Sequence, residues 1–433
     1  MIKTRFSHAY LVGRVATNID DATLKDKGWR HVAIDEKTYK TFCSYYYQSH
    51  VNAMIEAKSP VPGFLSGIRH YRYTVQRQAV LPGREYRFCI CHFHLFFLPV
   101  ETALIAIEID DTNNTLDALT WGHSQLMGWS DRYESFPVWM KMLFRPLEDL
   151  LATNDITQLC ADGNKLKLYQ IVNLQNEKFL DKDALLYELG TSSPIGCVNN
   201  HTGLTPSREY YNHIMEQNTV SAFIDWKALA LNDSFTMLDV AEKSPKYDSL
   251  ESQYWLWLHP YFRLIYLRCF FEKTFCLSRN KAYRMGSPVE NLSTEIADME
   301  KFYFYNNISY NFLPNMLYEA MVKGMNLTAE REEISQQIKE RAKEQENKMK
   351  EEREANEKRL KSIADSRKAE EDRKMTRLSI YVAIFAVFSV AWDLYCLFMK
   401  VVEEKSLIAI IFMMIGIVLA AICVVKLRNN ERI

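Results

Sequence analysis

The sequence predicts an α/β domain that is followed by a long charged helix and by a hairpin of two transmembrane helices. Three observations predict this order: β-rich runs in the first half of the chain, a segment of mixed charge without glycine or proline, and two apolar runs near the end. The predicted parts are a cytosolic ligand-sensing α/β domain with a helical C-terminal layer (1–325), a stalk helix (326–377), a first span (378–399), an outer loop (400–406), a second span (407–426) and a tail (427–433).

Composition limits the classes of function that are open to this chain. The 433 residues carry a formal net charge of −1, so no overall positive field favours nucleic acid, and no direct nucleic-acid partner is expected. Nine cysteines without regular spacing argue against a disulfide framework and are typical of a reducing compartment. The first ten residues, MIKTRFSHAY, lack the apolar region of a secretory signal peptide.

The α/β domain is predicted from runs rich in β-branched and aromatic residues. Residues 86–100 and 102–110 read as adjacent strands separated by a proline, and residues 166–174 read as another strand. From about Leu250 onward, apolar residues recur at helical spacing. The apolar run over 255–271 is interrupted by a proline and by charges, so it predicts a buried core helix rather than a membrane span.

The stalk is predicted from its charge pattern. Residues 328–377 contain 15 Lys or Arg and 14 Asp or Glu, which is typical of one long solvated helix with i,i+4 ion pairs. The sparse apolar residues Leu327, Ile338, Met349 and Leu360 recur every eleven positions, a period that keeps an apolar stripe nearly straight. Nothing near Arg377 stops a helix, so the stalk should continue into the first span.

The stalk is preceded by the tripeptide Gly324-Met325-Asn326, which we interpret as the boundary between two helices. Gly324 is expected to take a left-handed backbone after the preceding helix, where glycine has no steric cost. Asn326 or Thr328 is then expected to cap the stalk.

Two apolar runs near the C-terminus predict transmembrane helices. Residues 378–399 carry one charge and residues 407–425 carry none, and about twenty apolar residues span a bilayer. The seven residues KVVEEKS between them allow only a tight hairpin. Basic residues precede the first run and follow the second, which predicts that both termini are cytoplasmic in an inner (plasma) membrane with two spans. These basic residues are Arg373, Lys374, Arg377, Lys426, Arg428 and Arg432.

The first span carries a stripe of small and polar residues along one face of a helix. Such a stripe either lines a water-filled pore or forms a packing seam between helices, with its carboxylate reaching outward. If it lines a pore, two glutamates in the outer loop add negative charge at the outer mouth. The stripe is Ser379, Ala383, Ala386, Ser389 and Asp393, and the outer-mouth residues are Glu403 and Glu404.

Two short runs in the α/β domain carry side chains of the kinds that bind metals or ligands. Residues 89–96, CICHFHLF, hold two cysteines and two histidines, but four ligands from one strand cannot converge on one metal ion. We therefore expect a half-buried central strand and no metal site; the alternative is that His92 and His94 supply two ligands and other parts of the chain the rest. A regular strand would place the residues of this run on two faces. These are Cys89, Cys91 and Phe93 on one, and Ile90, His92 and His94 on the other.

Residues 68–77, IRHYRYTVQR, alternate basic and aromatic side chains. In a strand Arg69 and Tyr71 share one face, and His70 and Arg72 share the other. These four residues either bind a nucleotide through phosphate contacts and stacking or belong to an exposed strand with long, solvated side chains. The sequence has no motif of a known catalytic site, so we expect a protein that is not an enzyme.

The order of these parts resembles the CorA-like superfamily of two-helix cation channels, which assemble as pentamers with a pore lined by the first spanning helix. The Gly-Met-Asn signature of that family should lie near residues 399–402, which read Met-Lys-Val-Val, so the resemblance does not extend to the family's selection of hydrated magnesium. CorA-like proteins without the signature include those associated with type III CRISPR systems.

This resemblance implies a membrane-disrupting pore that is gated by a nucleotide second messenger, such as an adenylated S-adenosylmethionine or a cyclic oligoadenylate, in antiviral defence. One alternative is a housekeeping transporter of divalent metal cations (magnesium or cobalt), and a second is a scaffold or enzyme that its helices only anchor. The expected partners are further copies of the chain, the lipid bilayer and the small nucleotide ligand.

Overall fold

The fold is taken from a computed structural model, which describes a defined subset of the residues. The described residues are 2–15, 21–32, 69–97, 103–128, 136–150, 165–174, 181–222, 226–239, 262–286, 289–302, 304, 307–401, 411–412, 414–418 and 422. The chain divides into two compact units, residues 1–342 and 343–433.

The first unit is built on a sheet of nine strands within the described residues. The strands are β1 (Thr4–Val15), β2 (Arg30–His31), β3 (Arg69–Leu81), β4 (Tyr86–Phe97), β5 (Ala103–Asp110), β6 (Lys167–Leu174), β7 (Thr219–Val220), β8 (Trp226–Ala230) and β9 (Ser234–Asp239). Their order in space is β2-β3-β4-β5-β1-β6-β9-β8-β7. Neighbours are antiparallel except β6 and β9, which are parallel. The strands predicted over 86–100, 102–110 and 166–174 are confirmed in the residues described there, and β4 and β5 are adjacent.

The described helices fall before, between and after the strands. They are α1 (Asp21–Asp26), α2 (Leu116–Met127), α3 (Val138–Glu148), α4 (Lys182–Gly190), α5 (Arg208–Asn218), α6 (Leu267–Arg284), α7 (Val289–Phe302), α8 (Phe312–Gly324) and α9 (Leu327–Val401), with a π-helical turn at Phe262–Tyr266. The segment predicted as a buried core helix is confirmed in its described part, because most side chains from Phe262 to Phe271 whose burial is described are buried.

Strand alternation gives the sheet two apolar faces, and helices cover both. The rear face, with Leu11, Leu95 and Ile107, packs with apolar residues of α2, α3 and α4. The front face, with Tyr10 and Tyr169, packs with the π turn and with α6, α7, α8 and the first turns of α9. The predicted α/β fold of the N-terminal region is therefore confirmed, and helices are described from residue 262 onward.

Helix α9 runs without a break from Leu327 to Val401, which confirms that the charged stalk continues into the first predicted span. Its residues 327–342 belong to the first unit and the rest to the second. In the second unit the charged side chains from Lys343 to Arg377 are exposed, as expected for a helix that keeps its charges in water.

Among the described residues, one helix is long and apolar enough to cross a membrane, by length and composition alone. It covers Leu327–Leu397, and its most apolar window has a mean hydropathy of 1.9 and no buried residue. Of the second predicted span, residues 411–412, 414–418 and 422 are described and are helical. Residues 400 and 401, predicted as the start of the outer loop, are the last residues of α9. Residues 402–406 of that loop, with Glu403 and Glu404, and the tail lie outside the described residues.

Candidate functional site

A chain of hydrogen-bonded histidines and one carboxylate crosses four strands on the front face of the sheet. His70 Nε2 of β3 lies 2.9 Å from His94 Nδ1 of β4. His94 Nε2 lies 2.8 Å from one carboxylate oxygen of Glu108 in β5, and His8 Nε2 of β1 lies 3.1 Å from the other. All four side chains are buried, and Glu108 is 2% exposed. We call this set the histidine chain.

The register of the strands explains why these side chains meet. Arg72 pairs with His94, and His92 pairs with Glu108, so the even-numbered residues of β3, of β5 and of the second half of β4 (His92 to Phe96) share the front face. Members of the chain are diagonal neighbours on adjacent strands, a separation that long and aromatic side chains can bridge. Ala106, which pairs with His94, has a small side chain and leaves room for the imidazole.

A bulge in the middle of β4 changes which face of the sheet the side chains before it lie on. The register with β5 shifts between Ile90 and His92, so Cys91 is an extra residue without a paired partner. Ile90 therefore packs on the rear face with Phe93, and the prediction that Ile90 shares a face with His92 and His94 is wrong. On the other side of β4, Gln76 of β3 takes a left-handed backbone with φ of 51° at the matching irregularity.

Hydrogen bonding holds Glu108 in its ionised form. Burial alone would raise the pKa of this carboxyl, but hydrogen bonds from His8 and His94 outweigh it and hold the pKa well below its ordinary value. An ionised carboxylate only accepts, so both imidazole Nε2 atoms donate to it. In the contact between His70 Nε2 and His94 Nδ1, one ring donates and the other accepts. Both hydrogen bonds to Glu108 are therefore donated by histidines.

Three polar side chains stand on the same face at its accessible side: Arg72, Thr74 and His92. Arg72 and Thr74 are exposed and His92 is half-buried. The pKa of His92 is lowered, mainly by burial; Glu108 opposes this shift, and the positive charge of Arg72 is among the groups that add to it. His92 is therefore a neutral donor and acceptor beside a permanent cation. We call these three residues the front patch.

The front patch offers donors to a ligand rich in acceptors. Arg72 brings a planar guanidinium that can bind two oxygens of a phosphate, Thr74 a hydroxyl, and His92 a ring nitrogen. The ring nitrogen Nδ1 of His92 is buried and has no hydrogen-bond partner among the described residues. The histidine chain lies beside this patch and fixes the strands that carry it.

The four residues predicted to bind a ligand fall on both sides of β3. His70 and Arg72 lie on the front face, one in the histidine chain and the other in the front patch. Arg69 lies over the ring of Phe97 on the rear face, 4.9 Å from its centroid, and Tyr71 is 1% exposed in the rear-face core. The structure therefore brings two of the four together. Tyr71 supplies no stacking surface beside Arg72.

Sequence reasoning missed His8, Thr74 and Glu108 as members of this region. Glu108 carried a signal, because it is the one charge inside the apolar run 102–109 and a buried charge needs a partner. His8 carried none, because its contact with Glu108 joins residues 100 positions apart. Within the described part of the chain, no group of three or more His, Cys, Asp or Glu is arranged to hold a metal ion.

The junction between α8 and α9 is the second region with a specific structure. A Cβ on Gly324 would lie 2.4 Å from the carbonyl oxygen of Ala230, so glycine is required for the close approach of α8 to β8. Gly324 is the last residue of α8, and Asn326 takes the left-handed backbone with φ of 57°. The prediction that Gly324 is the left-handed residue is wrong, while the predicted boundary between two helices at this tripeptide is confirmed.

Helix α6 holds the start of α9 through charged and polar contacts. Lys273 Nζ donates to the carbonyl oxygen of Met325 at 2.7 Å. Glu272 is fully buried, and its two carboxylate oxygens pair with Arg268 Nε at 3.2 Å and with Arg331 of α9. Arg331 also donates to the hydroxyl of Tyr318 at 3.2 Å. The first turn of α9 is thus fixed to the domain by buried hydrogen bonds as well as by apolar packing.

The predicted pore-lining residues lie in the described part of α9. They are Ser379, Ala383, Ala386, Ser389 and Asp393, and all are exposed in the single chain. Large apolar side chains surround them on the same helix, for example Phe385, which is 80% exposed. Apolar side chains exposed on this scale need a lipid or protein partner.

Comparison of this chain with models of protein families, with curated proteins and with solved structures finds no match.

Proposed function

We propose that this protein is an oligomeric membrane channel or pore whose α/β domain responds to a phosphate-bearing nucleotide. The observation that carries the proposal is the continuity of α9. One uninterrupted helix begins among buried residues of the domain and ends in a segment apolar enough to cross a membrane. Its backbone hydrogen bonds therefore form a continuous path from the domain to that segment.

The start of α9 is well placed to respond to the sheet. Leu327, Ile334 and Ile338 belong to the same apolar cluster as Tyr10 and Phe96 of the front face. Tyr10 contacts the ring of His94, with centroids 5.9 Å apart, so this cluster adjoins the histidine chain. A ligand on the front patch would therefore act on the same packed layer that holds α9.

The ligand class follows from the donors of the front patch. Arg72, Thr74 and His92 together suit the oxygens of a phosphate, which accept charged and neutral hydrogen bonds. The resemblance to CorA-like proteins associated with type III CRISPR systems supports an adenylated S-adenosylmethionine or a cyclic oligoadenylate as this nucleotide. On the same resemblance the protein would act as an antiviral effector.

Several copies are needed because a single spanning helix encloses no pore. The small and polar stripe from Ser379 to Asp393 is the face on which α9 can pack closely against other copies or line water. The resemblance favours a pentamer. Basic flanking residues favour cytoplasmic termini, which would place Asp393 and the outer-loop glutamates Glu403 and Glu404 near the outer mouth, where a ring of carboxylates favours cations.

Flux through liposomes that contain the full chain tests this proposal. Ion flux is measured as each candidate nucleotide is added to the side that carries the α/β domain. We expect flux that depends on the nucleotide. Arg72→Ala should lower the apparent nucleotide affinity by about tenfold or more, because a charged hydrogen bond contributes about 1.5–3 kcal/mol. Asp393→Asn should reduce the preference for cations.

Arg87→Ala is the matched control, because Arg87 is an exposed arginine on the neighbouring strand β4. It should leave the nucleotide response unchanged. Magnesium flux that is independent of any nucleotide would instead support the transporter alternative. If the folded protein gives no flux under any condition, the result would favour the alternative of an anchored scaffold or enzyme.

A further inference from the structure

A cavity of about 380 Å³ opens at the junction between α8 and α9, within the first unit. Tyr318, Glu319 and Lys323 line it from the last turns of α8. Asn326, Thr328 and Arg331 line it from the junction and the first turns of α9. The left-handed residue Asn326 is thus part of the wall, and both helices contribute side chains to it.

The charged groups of the lining are only partly neutralised by the protein. Lys323 Nζ makes its hydrogen bond to the neutral amide oxygen of Gln217 at 2.7 Å, and no carboxylate among the described residues pairs with it. Arg331 reaches the cavity while part of its guanidinium pairs with Glu272. Two cations therefore face one cavity from two helices.

A buried hydroxyl at the cavity also has an unused donor. Tyr318 is 2% exposed, and its hydroxyl oxygen accepts a hydrogen bond from Arg331. The residues that the structure describes supply no acceptor for the proton of this hydroxyl. Buried donors are normally paired, so this one favours an acceptor atom inside the cavity.

We infer that the cavity binds a small, water-soluble molecule through a phosphate group held between Lys323, Arg331 and the Tyr318 hydroxyl. Phosphate oxygens accept from all three donors, and one cation from each helix suits its double charge. The cavity is separate from the front patch, so the inference goes beyond the proposed function and does not depend on it. The carboxylate of Glu319 in the lining repels an anion and so weakens its binding.

Calorimetric titration of the full chain in detergent with inorganic pyrophosphate tests this inference. The parent protein is Arg72→Ala, so that the front patch does not contribute. In that background we expect saturable binding, roughly tenfold weaker binding in Lys323→Met, and stronger binding in Glu319→Gln. Hydrogen exchange with pyrophosphate should slow in residues 318–331.

Lys339→Met is the matched control, because Lys339 is an exposed lysine of α9 outside the cavity. It should bind pyrophosphate like its parent. Absence of saturable binding in the parent, or equal affinity in the parent and in Lys323→Met, would overturn the assignment. Neither result bears on nucleotide gating at the front patch, because flux through wild-type protein is measured separately.

Discussion

The two units of this chain hold their charged residues in opposite ways. In the first unit Glu108 and Glu272 are buried, and each carboxylate is shared by two nitrogen-bearing side chains. In the second unit the charges between Lys343 and Arg377 are exposed, and one described ion pair joins Glu370 and Lys374. Charged residues of the same types are therefore expected to contribute differently to stability in the two units.

Burial explains this difference. A buried carboxylate has lost its water, so it depends on each partner, and removal of any one leaves the others uncompensated. An exposed charge on a helix remains solvated whether its neighbour is present or not. We therefore expect the first unit to respond to single charge substitutions and the second unit to tolerate them, and the predictions below test that contrast.

The largest effect is expected for Glu272→Gln. This substitution leaves Arg268 and Arg331 without the carboxylate that they share, so the free energy of unfolding should fall by about 3–5 kcal/mol. Denaturant unfolding of the full chain in detergent measures the change. Because Arg331 belongs to α9, hydrogen exchange at the start of that helix should also become faster.

Glu346→Gln is the control on the exposed part of α9. It removes the same charge from a solvated position and should change the unfolding free energy by about 0.5 kcal/mol or less. Similar losses in both variants would contradict the contrast between the units. They would mean that the exposed part of α9 is covered in the assembled protein.

An intermediate effect is expected for Glu108→Gln. The amide has one oxygen where the carboxylate has two, so His8 or His94 loses its acceptor, and the unfolding free energy at neutral pH should fall by about 1–3 kcal/mol. The described connection between the histidine chain and α9 runs through the apolar cluster that contains Tyr10. Exchange at the first turns of that helix should therefore change less than in Glu272→Gln.

The pH dependence identifies the role of the Glu108 charge. Its pKa in the folded protein lies well below the ordinary value of 4.5, so below pH 4.5 the unfolded chain takes up a proton that the folded chain does not. The stabilisation is complete above that pH and is lost as the pH falls towards the folded pKa. Wild-type stability should therefore fall more steeply below pH 4.5 than that of Glu108→Gln. Parallel pH profiles of the two proteins would show that the charge of Glu108 does not stabilise the fold.

Local patterns in the sequence predicted the elements that depend on local physics. The runs 86–100 and 102–110 gave β4 and β5 because β-branched and aromatic residues favour a pleated, buried surface. The stalk formed one helix with the first span because neither glycine nor proline interrupts it. Both outcomes need only information within a few turns or one strand.

Features that depend on distant contacts were not predictable in this way. The bulge at Cys91 depends on how β4 aligns with β3 and β5, and a shift of one residue reverses the face of Ile90. The role of Gly324 depends on the backbone of Ala230, which lies 94 positions earlier in the chain. Glycine was recognised as necessary there, but the reason is close packing rather than a left-handed backbone.

The smallest effect is expected where the second unit has its described ion pair. Glu370 and Lys374 lie 2.9 Å apart at positions i and i+4, and both side chains are about two-thirds exposed or more. Exchange of the two residues (Glu370→Lys with Lys374→Glu) keeps the net charge and reverses a favourable orientation on the helix. It should destabilise α9 locally by about 0.3–0.5 kcal/mol, measured as slightly faster hydrogen exchange over 365–377, and salt should abolish the difference. A much larger effect that depends on protein concentration would show that these charges meet other copies of the chain, and the second unit would then hold its charges as specifically as the first.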